Sequence, residues 1–431
     1  MRHSSQNLRK WLGPLPGHRE ARAMSWMALV AGAVLCGLSL YRGFHGQTFM
    51  GRPLGGDFVG FYAIGKILNG YDAFRIYDLQ LAVSLQHAIL PAMTDTQMLV
   101  FGHAPYIACL FRPFADLPYA WAYIAWLVFS ASLYVLSLLL LFRAGELTPE
   151  QTKTGLLLAV SSAPFLLETW IGGQLSVVIF FAWSLFFYCR HKNRGFLAGI
   201  ALSFAVFKPT LIVVPALMLV CGRRWRILGG LAAGGSGLAL ASLGMVGLRG
   251  LRAWIDTLLY LACVNAGPGE ARHVAKYVDI RSFFHLLVPN GPVLTGVLST
   301  AIGLALLAML AAAWWRTAGS HTQNENLLWA ATLCFSLVVS AYSPIYDSIL
   351  AVSALVLATS VMASRHEDRE PFQAWLLAFY IVPWITQSFA EFLHFQLFTI
   401  VLAGFAAWAL RLSYGSRPAV QPSVTEALTV Q

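Results

Sequence analysis

The chain has 431 residues, 58% of them hydrophobic and only 11% charged, and its mean hydropathy is +0.65. A soluble protein of this size carries about a quarter charged residues, so composition excludes a soluble enzyme. The net charge of +10 does not argue for nucleic acid as a partner, because basic residues in so apolar a chain first report membrane orientation.

The predicted fold class is an all-α polytopic membrane protein. The period-2 alternation of a β-barrel is missing from the apolar runs. Residues 1–23 are basic and polar, too long for a signal-peptide n-region, and read as a cytoplasmic N-terminal segment before a retained first helix. Spans are expected near 24–41, 119–142, 154–170, 173–189, 226–248, 291–315, 327–342, 345–362, 372–390 and 394–413. With half-spanning pieces this makes about 10 to 12 helices in one membrane domain, 24–413, each full span able to cross about 30 Å of hydrocarbon. A polar tail, 414–431, follows. The six cysteines form no C-x-x-C pair or metal spacing and read as packing residues.

With the N-terminus inside, 42–118 becomes one large first outer loop. Its end, "PYIACLFRPFADLP" (105–118), is too short and proline-broken for a span and is expected to lie in the interface. Two basic clusters, "RHKNRG" (190–195) and "CGRRWR" (221–226), are too close for a single span to keep both on one side. The "AVFKPTL" between them predicts two half-helices, 196–207 and 209–220, broken at Pro209 with Lys208 at the buried tip. On this topology inside segments hold 18 Lys and Arg and outside loops 10. That outer surplus is what a site handling phosphate would show.

The unusual polar residues collect on the outer side. They are Asp57 in "GGDF", Tyr77-Asp78, Gln174 in "GGQLS", Arg272, His273 and Arg281 in the 265–285 loop, and Asp347 in "SPIYD", with Lys208 pointing between them. A charge at membrane depth marks a site by default. Each also has an ordinary reading: Asp57, Asp78 and Asp347 would make good helix caps, Gln174 would be solvated at a turn, and the loop cations would be plain surface residues. No second carboxylate adjoins Asp57, so neither a metal nor any other cofactor is indicated, although distant carboxylates could still assemble a metal site. Walker A, dinucleotide, HExxH and GxSxG signatures are missing. A nucleotide-sugar enzyme would want a soluble nucleotide-binding domain, so a sugar donor would have to come from the membrane.

"GGDFVGFYAIGKILNGYDAFRIYD", "HAPYIACLFRPFADLPYAWAYIAW", the long "GGQLS…KPTL…GRRWR" block and "YSPIYDSILAVSALVLA" occur in one order across residues 55–362. Together they resemble glycosyltransferase family 87, of the C-type glycosyltransferase superfamily. "HAPY" has one proline where the family usually has two, and "KPT" stands for the commoner "KPQ". The resemblance implies a multi-span enzyme of the cell membrane, working on its extracytoplasmic face. It implies a hexose, commonly mannose, taken from polyprenyl phosphate, a lipid or glycan acceptor, and membrane lipids as surroundings. It also implies a carboxylate base in the first outer loop, matched here by Asp57. In an inverting displacement Lys208, with Arg281 and Arg272, would hold the departing phosphate. Gln174, Tyr77, Asp78, Asp347 and His273 would meet sugar or acceptor hydroxyls. The lipid tail would lie in an apolar groove beside 105–118. The competing class is a transporter or flippase of a lipid-linked or anionic substrate, whose broken helices and buried charge would look alike.

Overall fold

A computed structural model describes residues 18–45, 53–91, 93, 98–266, 274–318, 324–362 and 365–414. Arg272, His273 and most of the polar tail lie outside them. The architecture is helical: among the described residues there is no β-strand, only an isolated antiparallel bridge between Tyr277 and Pro344. Among the described residues seven helices are long and apolar enough to cross a membrane.

In chain order the first span is α1, His18–Phe44. The first loop follows as α2, Phe58–Gly70, a 3-10 turn, Ala73–Tyr77, then α3, Leu79–Ile89. Three short turns at Pro105–Ala108, Cys109–Phe111 and Arg112–Ala115 occupy the stretch expected at the interface. Prolines at 105 and 113 allow helical starts but no long helix. The second long span is α4, Tyr119–Ala144.

Next comes α5, Pro149–Val160, opened by a capping box in which Thr148 and Gln151 satisfy each other's backbone N–H groups. It meets a π-helical segment, Pro164–Ile171, at a bend of 54°. Pro164 has no N–H to continue the α ladder, which accounts for the break. α6, Ser176–His191, returns the chain. The basic-flanked stretch is indeed two pieces, α7, Gly195–Ser203, and α8, Val213–Cys221, with a 3-10 turn at Pro209–Leu211 between them.

α9 comprises two helical arms within Trp225–Ala266 that meet at Gly247, whose φ 65 and ψ −178 are not helical, so the first arm ends where the sequence places it, near 248. The second arm lies on the first loop, with Arg249 over the Phe74 ring at 4.3 Å and Trp254 Nε1 donating to Gly102 O at 3.1 Å. Near its start, α9 approaches α7 backbone to backbone: a Cβ on Gly230 would stand 1.9 Å from Phe196 O, and one on Gly199 2.0 Å from Ile227 O. Only glycine permits this contact between membrane helices. The remaining elements are α10, Ile280–Leu287, α11, Pro292–Arg316, α12, Asn324–Val339, a 3-10 turn, Ile345–Ile349, and α13, Leu350–Met362. α14, Arg369–Leu393, and α15, Leu397–Tyr414, close the bundle.

One end of the bundle is basic and is tied by a buried network. Glu325 pairs with Arg190 at 3.2 Å and Arg224 at 2.8 Å. Above it Trp183, Trp314, Trp329, Phe186 and Phe187 pack edge to face in the core. The opposite end carries the first loop and the loops between helices, and it holds the site.

Candidate active site

Two glycine turns from distant parts of the chain make the centre. Gly55 (φ 80) and Gly56 (φ 54) precede Asp57, and Gly173 (φ 68) precedes Gln174. A Cβ on Gly56 would stand 2.7 Å from Gly172 O, and one on Gly173 2.4 Å from Gly55 O. Without side chains the two turns meet by their backbones, and Asp57 N donates to Gly172 O at 3.1 Å. Helix α4 holds both from one side. Tyr119 Oη donates to Leu54 O, and Tyr123 Oη, one helical turn on, donates to Ile171 O at 2.7 Å.

Asp57 occupies the N-cap position of α2 but makes no side-chain cap bond. Its αR backbone, at φ −75 and ψ −10, directs the carboxylate elsewhere, and Gln174 Nε2 donates to Asp57 Oδ2. Gln174 is buried although it sits in a turn. The ordinary readings, a capping Asp57 and a solvated Gln174, therefore do not describe this geometry.

Two residues beyond Gln174, Ser176 Oγ donates to Asp347 Oδ1 at 2.9 Å. The other oxygen of Asp347 is paired with Lys208 Nζ. Asp347 is fully buried, and the Lys208 side chain is 11% exposed. The ammonium also lies over the Tyr346 ring at 4.7 Å. Tyr346 is close enough to feel both carboxylates, Asp347 and Asp57. Asp57, Gln174, Ser176, Asp347, Tyr346 and Lys208 thus form one cluster.

The elbow that carries Lys208 is held by the first loop. Phe207 N donates to Tyr106 Oη at 2.9 Å, and Tyr106 Oη donates to Phe204 O at 3.2 Å. His103, set among Phe61, Phe101 and Phe207, hydrogen-bonds the Phe207 backbone. Burial, aided by the Lys208 charge, pushes its imidazole down to about 3, so it stays neutral. Neither His103 nor Tyr106 was singled out by sequence, since their partners are backbone groups far along the chain.

The other candidates stand apart. Tyr77 Oη donates to His103 O at 2.8 Å. Asp78 caps α3 through Leu81 N at 3.1 Å and pairs with Arg75 at 3.0 Å. These hydrogen bonds, the Leu81 one foremost, hold its carboxyl below the usual range. Tyr77 and Asp78 line a separate cavity of about 280 Å³ with Phe101, Asp256 and Tyr260. Arg281 stands exposed in the first turn of α10, outside the cluster. Asp279, two residues earlier, is buried instead, accepting from Ser282 N at 2.8 Å and Ser343 N at 3.4 Å. It fastens this loop to the turn carrying Asp347. Among the described residues no group of three or more His, Cys, Asp or Glu gathers as metal ligands.

The model of glycosyltransferase family 87 matches residues 101–344. The matched stretch takes in His103, Gln174, Ser176 and Lys208; Asp57 precedes it, and Asp347 follows its end closely. No curated protein and no solved structure matches the chain. With more than half its length matched, and with helices able to span a membrane repeatedly, the chain belongs to glycosyltransferase family 87 and is a multi-pass membrane glycosyltransferase.

Proposed function

We propose that the enzyme transfers a hexose, mannose in the first instance, from a polyprenyl-phosphate donor to a lipid or glycan acceptor on the extracytoplasmic face, with inversion. The observation that carries this reading is the Asp57–Gln174 pair beside the Lys208–Asp347 pair. One is a carboxylate with its orientation held, the other a cation at the tip of a broken helix.

In the reaction the acceptor oxygen attacks the anomeric carbon, and its proton passes to Asp57. The bond from that carbon to the phosphate oxygen breaks, and the electron pair leaves with the phosphate. Gln174 keeps the Asp57 carboxylate pointed at the attacking hydroxyl. Lys208 accompanies the phosphate as negative charge develops on it. Asp347 serves as its resting counter-ion before the donor arrives. The donor's lipid tail leaves past the short turns of 105–115.

The test uses purified protein in nanodiscs, radiolabelled polyprenyl-phosphate-mannose and a membrane lipid extract. Wild type should form a labelled product, and Asp57→Asn, which keeps size and shape, should form none. Transfer at the wild-type rate by Asp57→Asn would remove Asp57 as the base. Label retained on the donor with wild type, but moved when the glucose-linked donor is supplied, would change the sugar and keep the reaction.

A further inference from the structure

Glu168 is a carboxylate inside the bent α5–Ile171 span. Gln387 Nε2, from α14, donates to Glu168 Oε1 at 3.3 Å. Sugars are recognised by such carboxylate–amide pairs, because each sugar hydroxyl can donate to one and accept from the other. An ionisable side chain within a span is otherwise an expense without return. A π-helical turn, where Glu168 sits, is a device frequent at functional sites.

The segment that carries Glu168 reaches the base four residues on, where Gly172 O accepts from Asp57 N at 3.1 Å. The same segment continues through Gln174, which donates to Asp57, to Ser176, which donates to Asp347.

Below the pair runs an apolar groove of about 520 Å³ between α5, α13 and α14, walled by Leu158, Leu355 and Phe379. Its rim includes Pro164 and Tyr380. Glu168 is one turn on from Pro164, and Gln387 two turns on from Tyr380. Ser348, next to Asp347, also lines the groove, and Thr169 Oγ1 donates to Tyr346 O at 3.4 Å. The groove therefore ends close in sequence to both Glu168 and Asp347.

We infer that Glu168, Gln387 and the groove form the acceptor subsite, which takes an amphiphilic glycoside. Sugar hydroxyls meet the carboxylate–amide pair, and the hydrocarbon chain lies in the groove. This rests on the proposed transfer reaction, for which it supplies a place for the acceptor on the segment that leads to the Asp57 turn.

The test measures transfer from citronellyl-phosphate-mannose to methyl, octyl and dodecyl α-mannoside in nanodiscs. With wild type, acceptor KM should fall as the chain lengthens. Glu168→Gln should raise dodecyl-mannoside KM by about tenfold or more, with donor KM moving by less than about twofold, as for loss of a hydrogen bond to a charged group. Leu355→Trp, which fills the groove, should abolish the gain from chain length. A dodecyl mannoside tipped with a diazirine should label residues 149–164 and 350–380, a readout that needs no turnover. Equal KM shifts for donor and acceptor, a chain-length gain kept in Leu355→Trp, or labelling elsewhere would overturn the inference. If wild type neither transfers nor hydrolyses the donor, the transfer reading fails, while the labelling still decides the subsite.

Discussion

The Lys208 ammonium is paired with the fully buried Asp347 carboxylate, which also accepts from Ser176, so one cation and one anion at the site satisfy each other before any substrate arrives. A buried pair of this kind costs desolvation on both sides and is kept where it does something else. Lys208→Met should destabilise the protein by about 3–5 kcal/mol, because it leaves Asp347 buried without its counter-charge. Lys208→Met combined with Asp347→Asn should recover most of that stability in thermal unfolding, yet transfer should stay lost. Recovery of transfer in the double variant would make the pair purely structural.

Gln174→Leu removes the donor that directs Asp57. The carboxylate then samples other rotamers, and kcat should drop by about tenfold or more, as for a misplaced reacting group. Steady-state kinetics with the same donor series decides it, since a merely structural Gln174 would lower the unfolding midpoint and spare kcat.

Gly173→Ala would place a methyl 2.4 Å from Gly55 O, at a φ of 68. Both the strain and the contact act against it, and about 1–3 kcal/mol of stability should be lost. The two turns should also part, so activity falls further than unfolding alone explains.

Tyr106→Phe withdraws the acceptor of Phe207 N. An orphaned N–H beside the Lys208 elbow costs about 1–3 kcal/mol. The expected signature is a higher donor KM with little change in acceptor KM, because only the phosphate side is disturbed.

Burial raises the Asp279 carboxyl from 3.8 to about 6. Between those values the folded chain holds a proton that the unfolded chain has released. This stability is full below the unfolded pKa and is lost as pH rises through about 6. His103, lowered to about 3, has the opposite slope: its contribution is present above its usual 6.5 and lost as pH falls. Asp279→Asn should therefore remove a decline of about 2–3 kcal/mol between pH 4 and 6, read as the difference from wild type in pH-dependent unfolding midpoints.

Seven of the ten expected spans are legible in the sequence because a membrane helix needs a long uncharged run; 154–170 is bent at Pro164, and the helices at 173–189 and 327–342 are shorter than a full span. The break at Lys208-Pro209 is legible for a second reason: two basic clusters cannot share a face across one span. Asp57 stands out by its glycines, but its partner does not. A hydrogen bond between Asp57 and Gln174 is a long-range fact, and each residue has a sufficient local explanation as a cap or a turn. The same holds for Asp347, which sequence reads as a sugar ligand and the fold places against Lys208. Glu168 is the instructive omission, since a carboxylate in "FLLETWIGG" is visible without any structure. The break at Gly247 falls where the apolar run ends, but the arm of α9 beyond it reads as an outer loop because it carries Arg249 and Arg252.

Tyr119 and Tyr123 bear on the turns of Leu54 and Ile171 from a single face of α4. Helix α4 thus acts as a ruler, and the spacing between base and amide is graduated by its pitch of about 5.4 Å. A ruler of this kind tolerates bending and translation but not a change in its divisions. One residue inserted between 119 and 123 would rotate the second mark by about 100° and take Ile171 out of register. The same insertion after 130 would leave both marks in place.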